Sequence, residues 1–471
     1  MKSTQLFVCV FFVAYVSICH AQEAKPHPPN VIFILSDDLG VSEISPYGGK
    51  LKTTTLDQMT AEGLRFTSAY ATPLCGPTRC SLMTGLHPGH MPIRHNPSQA
   101  RGWNRTDQGD PPLADGTPTF AKVFKQAGYR TACIGKWGLG LPGKEGSPDR
   151  MGFDYFFGYD SHVAAHNYYP DHLWRDNEQV KLDGKTYTHD LFSTEALKFI
   201  EQNKAQPFML YLAYTIPHGR YEPPSDEPFS KESWPPAEKK YAAMMMRMDR
   251  DIGRIFSLLK DLKLDENTLV IFASDNGPLN FGGHKANFFA APNPLRGLKG
   301  GAYEGGERIA FIARWPGHVP AGQTTDQPIA TWDFLATCAE LVGQDPPKTD
   351  GISYLPTLLG RRGEQKQHDY LYWELAVGDG LQQIRMGNWK AEIFGISKSN
   401  EPKLELYDLK SDLREQHDLA TDNPEVVNKM REIAKEAHTP DRMFPLTVEE
   451  MRTAAPKAVL KKAKEKAAQE E

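Results

Sequence analysis

Long apolar runs are scarce in this 471-residue chain. One stands at the start, from Leu6 to Ile18 behind Lys2, but Ser17 interrupts it and it falls short of the roughly 20 residues that cross a bilayer. It ends Cys19-His20-Ala21, a small-residue ending suited to signal-peptidase cleavage before Gln22, so residues 1–21 are expected to be a cleaved secretory signal. An uncleaved anchor fits the short run less well. A lipoprotein through Cys19 fits less well again, because Val16-Ser17-Ile18 is a poor approach to a lipidated cysteine. No later segment is apolar enough to span a membrane. The expectation is an exported protein, periplasmic or extracellular, with no stable membrane insertion.

Charge of one sign is missing too. With 54 Lys+Arg against 59 Asp+Glu the net charge is -5, so no general basic field is offered to nucleic acid, and an anionic substrate must be met by a few placed cations. Cysteine is sparse: Cys9 and Cys19 leave with the signal, and Cys75, Cys80, Cys133 and Cys338 are too few and too scattered to staple so long a chain. Repeats and collagen-like, coiled-coil or disordered composition are absent. A hydrophobic share of 40% is ordinary for a globular protein, and the length allows two to four domains at about 100–200 residues each.

From Pro29 to about Arg314, short β-branched or aromatic runs alternate with amphipathic segments. Val31–Leu35, Phe208–Tyr214, Leu269–Ala273 and Ile309–Ile312 read as buried strands; Thr117–Ala127 and Tyr241–Leu262 carry helical periodicity, as does Thr331–Val342. This alternation predicts an α/β domain with a large, mostly parallel central sheet flanked by helices, over residues 22–360. Further short strands at Tyr370–Glu374, Gln382–Arg385, Trp389–Phe394 and Leu404–Leu409, with a helix at Pro424–Ala437, predict a small C-terminal α+β domain over 361–445. Residues 446–471 read as a charged tail, a solvated helix or disorder.

Two of the expected strands end in acid. Val31–Leu35 runs into Ser36-Asp37-Asp38, and Leu269–Ala273 into Ser274-Asp275-Asn276-Gly277. Ligands gather at the carboxyl ends of strands in open α/β sheets. If the strands are neighbours, three carboxylates and an amide oxygen converge, an all-oxygen set suited to Ca²⁺, with Mg²⁺ as the other choice, rather than to zinc. Either motif alone also reads as a turn or a helix cap. Together, with adjacent carboxylates inviting a counter-cation, they favour metal.

The stretch Pro73-Leu74-Cys75-Gly76-Pro77-Thr78-Arg79-Cys80-Ser81-Leu82-Met83-Thr84-Gly85 sets a cysteine at a helix start near an arginine. That placement lowers a thiol pKa and favours a nucleophile or a site of modification, although a structural cysteine fits the same residues. Cys75-x-Pro77-x-Arg79 with Ser81 to Gly85 resembles the signature of the type I, formylglycine-dependent sulfatases of the alkaline phosphatase superfamily. The resemblance continues in family order through Asn30 to Gly40, Gly135-Lys136-Trp137, Pro217-His218, Ser274 to Gly277, and Gly297-Leu298-Lys299-Gly300-Gly301 with Glu304-Gly305-Gly306. Leu406 to Leu409 and His417 to Ala420 resemble the family's small second domain, so nearly the whole mature chain is covered.

The resemblance implies a fold like that of alkaline phosphatase and a sulfuric ester hydrolase. It implies that a formylglycine-generating maturation enzyme converts Cys75 to formylglycine. One hydroxyl of the hydrated aldehyde attacks sulfur, the alcohol leaves, and loss of a proton from the second hydroxyl expels sulfate. Asp37, Asp38, Asp275 and Asn276, with the residue derived from Cys75, would hold a divalent cation, most often Ca²⁺. Arg79 and Lys136 would orient and polarise the formylglycine, Lys299 and His218 would grip the sulfate, and His218 would protonate the leaving oxygen. Many members read G-K-W-H, and that histidine is assigned to deprotonating the second hydroxyl; here the position is Gly138. Ala165-His166-x-Tyr168-Tyr169-Pro170 resembles a segment of members that also have glycine there, so His166 is expected to substitute, with His162 behind it.

For an exported sulfatase the expected substrate is a sulfated carbohydrate. An aryl sulfate or a sulfated lipid also fits. Trp103, Trp174, Tyr168 and Tyr169 could stack on sugar rings, although ordinary packing is favoured for each. Two other readings stay open: a phosphate or phosphonate monoester hydrolase of the same superfamily, and a non-catalytic protein that binds sulfated glycans.

Overall fold

The computed structural model describes residues 28–96, 100, 101, 103, 109–376 and 378–454. The expected signal at 1–21 lies outside the described residues, as does the tail from 455 onward.

An 11-stranded sheet organises the first three quarters of the chain. Its strands are β1 (Asn30–Ser36), β2 (Leu64–Tyr70), β3 (Arg130–Lys136), β4 (Tyr155–Tyr159), β5 (His172–Arg175), β6 (Glu178–Lys181), β7 (Phe208–Ala213), β8 (Thr268–Ser274), β9 (Arg308–Arg314), β10 (Gln323–Thr325) and β11 (Ile329–Ala330). They lie in the order β10-β2-β9-β8-β1-β7-β3-β4-β5-β6, with β11 beside β2. The run β8-β1-β7-β3-β4 is parallel throughout, while β9 is antiparallel to both of its neighbours and β5-β6 form an antiparallel edge. The expected α/β class holds, with a mixed rather than purely parallel sheet.

Both faces of the parallel strands are buried, which explains their continuous apolar sequence. Val31, Phe33 and Leu35 of β1 point into one core with Met209, Tyr211, Leu269 and Ile271. The helices Cys75–Thr84, Phe120–Gln126 and Asp333–Leu341 cover that side. Ile32 and Ile34 point the other way, toward Leu210, Val270 and the helices Thr54–Ala61, Thr188–Gln202 and Pro236–Asp261. Each such fully buried side chain contributes about 1.5–3 kcal/mol, so strand position is set strongly from both sides.

A second, antiparallel sheet follows, with β12 (Leu371–Leu375), β13 (Leu381–Met386), β14 (Trp389–Phe394) and β15 (Lys403–Asp408) in that order. The helix Pro424–Glu436 lays Met430, Ile433 and Ala434 over Tyr372, Ile384, Ala391 and Leu406. This sheet is pinned to the first part of the chain by polar bonds. Trp373 Nε1 donates to Ala71 O at 2.7 Å, and Arg94 pairs with Glu374 at 2.7 Å. The fully buried Lys390 Nζ meets Glu304 at 2.9 Å, Glu392 at 3.4 Å, Glu415 at 3.8 Å and also Glu307. Of the tail expected at 446–471, Val448–Thr453 is a helix opened by a capping box between Thr447 and Glu450.

Candidate active site

β1 and β8 pair in parallel with Ser36 opposite Ser274, so their two acidic turns leave the sheet side by side. The backbone then interlocks. Asp38 N donates to Asp275 Oδ1 at 3.0 Å and Leu39 N to Ser274 Oγ at 3.2 Å. Asp38 takes φ 67°, a left-handed conformation that Asp tolerates better than most residues. Asn276 Nδ2 donates to Asp38 Oδ1 at 2.8 Å and to Gly277 O at 2.8 Å, which turns its amide oxygen inward.

Three buried oxygens are left with no hydrogen-bond partner: Asp37 Oδ1, Asp38 Oδ2 and Asn276 Oδ1. An unpartnered buried polar atom costs about 1–3 kcal/mol, so three at one point need an explanation. A hard divalent cation supplies it, because carboxylate and amide oxygens are its ligands. Carboxylate and thiol atoms of Asp37, Cys75 and Asp275 also lie within 4.8 Å of one another, as do ligand atoms of Asp37, Asp38 and His218. Burial and the charge on Asp37 push the Asp275 carboxyl well above its usual pKa, a like-charge conflict that a cation removes. Burial also acts to raise Asp37, but Lys136, His218, Arg79 and Lys299 outweigh it and hold that carboxyl well below the usual range.

Cys75 opens a helix whose ten residues, Cys75–Thr84, are all buried. Pro77 stands in its first turn, where its missing N–H costs no helical bond. Thr78 Oγ1 ties this turn to β8 by donating to Asp275 O at 2.7 Å, and Gly76 N donates to Asn96 Oδ1 at 3.0 Å. Arg79, one turn on, reaches Lys136 O at 2.9 Å, Asp275 at 3.2 Å and Asp37 at 3.5 Å. Burial alone would raise the Cys75 thiol; Lys136, Lys299 and His162 reverse this and hold it well below the usual thiol value.

Lys136 ends β3 and sets its Nζ 2.6 Å from Asp37 Oδ2, with no exposure. Lys299 Nζ lies 2.5 Å from Asp38 Oδ1, and His218 Nε2 lies 3.4 Å from Asp38 Oδ2. The expected metal-ligating residues and Cys75, Arg79, Lys136, Lys299 and His218 therefore reach one site. His166 reaches it as well, stacking on His218 at a centroid separation of 4.2 Å and 10° between planes. Burial, with the charges of Lys136 and His218, pushes His166 down to about 2, a neutral imidazole. The volume beside Gly138, where His166 was expected to act, is taken by His162 instead.

Asp110 and Asn96 also belong to this site, as does Thr78, which the motif carries only as a spacer. Neither Asn96 nor Asp110 sits at a diagnostic spacing from Cys75; Asp110 bonds His162 across 52 residues. The stacking idea fails for Tyr168, which is fully buried and donates its hydroxyl to Thr215 O at 3.0 Å. Among the described residues no helix is long and apolar enough to cross a membrane.

A family model described as Sulfatase matches residues 29–344, and one described as N-sulphoglucosamine sulphohydrolase, C-terminal, matches 299–439. The chain is 33% identical over 407 residues to the N-acetylgalactosamine-6-sulfatase of Canis lupus familiaris, covering 80% of this chain and 74% of that protein. It is 28% identical over 513 residues to the N-acetylgalactosamine-6-O-sulfatase of Bacteroides thetaiotaomicron, covering 87% of this chain and 93% of that protein. Among solved structures it is similar to Ps i-CgsB in complex with k-i-k-neocarrahexaose, with TM-score 0.75, 28% identity and coverage of 87% and 93%.

Proposed function

The chain belongs to the sulfatase family, and from that premise we propose that it is an exported sulfatase that removes sulfate from a carbohydrate through formylglycine at position 75 and a bound Ca²⁺ or Mg²⁺. One observation carries the reading. Three carboxylates, Asp37, Asp38 and Asp275, face three cations, Arg79, Lys136 and Lys299, around Cys75. These charges balance among themselves. A divalent cation at the open oxygens of Asp37, Asp38 and Asn276 then leaves two positive charges in excess, which suits a site built for an anionic ester rather than a neutral one.

The cation would be held by Asp37, Asp38, Asp275 and Asn276, with position 75 completing the set, and would draw negative charge toward the sulfate oxygens. Formylglycine supplies a hydrated aldehyde whose two hydroxyls allow attack on sulfur and then release of sulfate. The remaining work falls to this chain's own side chains. Arg79 and Lys136 orient position 75 and stabilise charge there. Lys299 and His218 hold the sulfate, and His218 gives a proton to the departing sugar oxygen. The helix Cys75–Thr84 keeps the reacting position out of bulk water, which strengthens every one of these charges.

The named relatives act on sulfated sugars, and this supports a sulfated carbohydrate as substrate here. The decisive experiment co-expresses the chain with a maturation enzyme, identifies the Cys75 peptide by mass spectrometry, and assays sulfate release from sulfated galactosaminoglycan and carrageenan oligosaccharides beside matched phosphate esters. Conversion at Cys75 with release from at least one sulfated sugar is expected, and Cys75→Ala should abolish it. An unconverted cysteine in an active enzyme, or a preference for phosphate esters, would overturn the proposal.

A further inference from the structure

The histidine that follows G-K-W in many family members is Gly138 here, yet the space its side chain would fill is occupied. A Cβ placed on Gly138 would lie 2.1 Å from His162 Cε1 and 2.3 Å from His162 Nδ1. No side chain at 138 can coexist with that ring. The same ring passes beside the Cys75 turn, since a Cβ placed on Gly76 would lie 3.4 Å from His162 Nε2.

The ring is also held in one orientation. Asp110 Oδ2 accepts from His162 N at 2.7 Å and sits 2.8 Å from His162 Nδ1, and both residues are buried, at 1% and 5% exposure. A carboxylate that accepts from Nδ1 fixes the proton there and leaves Nε2 with a free lone pair. That Nε2 is buried and makes no other protein hydrogen bond, its ring lying against the Cys75 thiol, which together with Asp110 outweighs burial and raises the imidazole's affinity for a proton. His166 instead lays its ring against His218.

We propose that His162, positioned by Asp110, supplies the imidazole that Gly138 lacks and takes the proton from the second hydroxyl at position 75. This rests on the formylglycine reading above. In the step, the hydroxyl proton passes to His162 Nε2, the O–H electron pair becomes the carbonyl π bond, and the C–O bond to sulfate breaks with its pair leaving on sulfate. Asp110 touches no reacting atom; it fixes the tautomer.

The test separates the two products. In a rapid-quench experiment with an aryl sulfate, phenol and sulfate are measured together for the converted enzyme. His162→Ala, and His162→Asn as the variant gentler on folding, should give one rapid equivalent of phenol, with sulfate release slowed about 100-fold or more. Asp110→Asn should slow sulfate release while sparing the phenol burst, a split that a purely structural defect would not produce. Sulfate release within a few-fold of wild type in both His162 variants, or phenol and sulfate slowed equally, would overturn the assignment.

A second measurement needs no formylglycine. In the unconverted protein, Gly138→Ala should lower Tm by several degrees more when His162 is present than in a His162→Ala background. Equal losses would overturn the placement. If the converted wild-type protein released neither product from the aryl sulfate and no sulfate from the sulfated sugars, the formylglycine reading would fall, and this unfolding cycle would still decide where His162 sits.

Discussion

Asp38 donates its backbone N–H to the side chain of Asp275 at 3.0 Å, joining residues 237 apart in sequence. Two strand ends are thereby fastened through the atoms that carry the chemistry. Neither turn can shift without moving a carboxylate of the other, so the proposed cation site is rigid before any ion arrives. Preorganisation of this kind is what an electrostatic catalyst requires.

Chelation is expected to abolish sulfate release and to lower Tm, because the open oxygens of Asp37, Asp38 and Asn276 would then face one another uncompensated. Restoring Ca²⁺ to about 100 times its dissociation constant should return about 2.7 kcal/mol of stability. Calorimetry with Ca²⁺ and Mg²⁺ in parallel reads both the effect and the preference. Indifference to both ions would remove the metal from the account.

Arg79→Ala should be among the most damaging single changes. It leaves the buried Asp275 carboxyl without its cation and Asp37 with Lys136 alone, for which a cost of about 3–5 kcal/mol is expected in urea unfolding. Lys299→Ala, at a position nearer the surface, should leave the fold intact and lower kcat/KM about 100-fold. Comparable stability losses in the two variants would contradict this division.

Stability should fall as pH rises. Glu307, Glu392 and Glu415 are raised to about 8, mainly by burial. His284 and His438 are raised to about 9: burial opposes this, and the glutamates Glu238, Glu43, Glu374 and Glu450 prevail. In every case the folded state binds the proton more tightly than the unfolded chain does. The contribution is therefore lost between about 4.5 and 8 for the glutamates and between about 6.5 and 9 for the histidines, at up to about 3 kcal/mol per histidine. A Tm that climbs from pH 6 to pH 9 would refute it.

Lys390→Met removes the one lysine shared by Glu304, Glu307, Glu392 and Glu415. A loss of about 3–5 kcal/mol is expected, and it should shrink at low pH as the carboxylates take up protons. Urea unfolding at two pH values checks this; an equal loss at both would argue that packing, not charge, ties the second sheet down.

What was legible in the sequence was what periodicity and end-of-strand chemistry record. The strand at Val31–Leu35 and the one at Leu269–Ala273 were each found within a residue or so, and their acids do converge. The direction of β9 was not legible, because Ile309–Ile312 has the same composition as its parallel neighbours and direction resides in the connections. His162 was placed behind His166 because motif likeness weighs neighbours in sequence. The observation that separates them is a volume, the missing side chain at Gly138, which only three dimensions reveal. Tyr168 shows the same limit: its buried hydroxyl bonds to Thr215, and no pattern in the chain announces that partner.

The burial of every residue from Cys75 to Thr84 has a consequence in time. An enzyme that reads Cys75, Pro77 and Arg79 as an extended peptide cannot find them in the finished protein, where the cysteine is wound into a covered helix and the arginine is already claimed by two carboxylates. The window for such a reader closes when β1, β8 and this helix come together. On the proposed formylglycine reading, a chain that folds faster than it is modified would be sealed with an ordinary thiol, and folding speed would set how many molecules ever work.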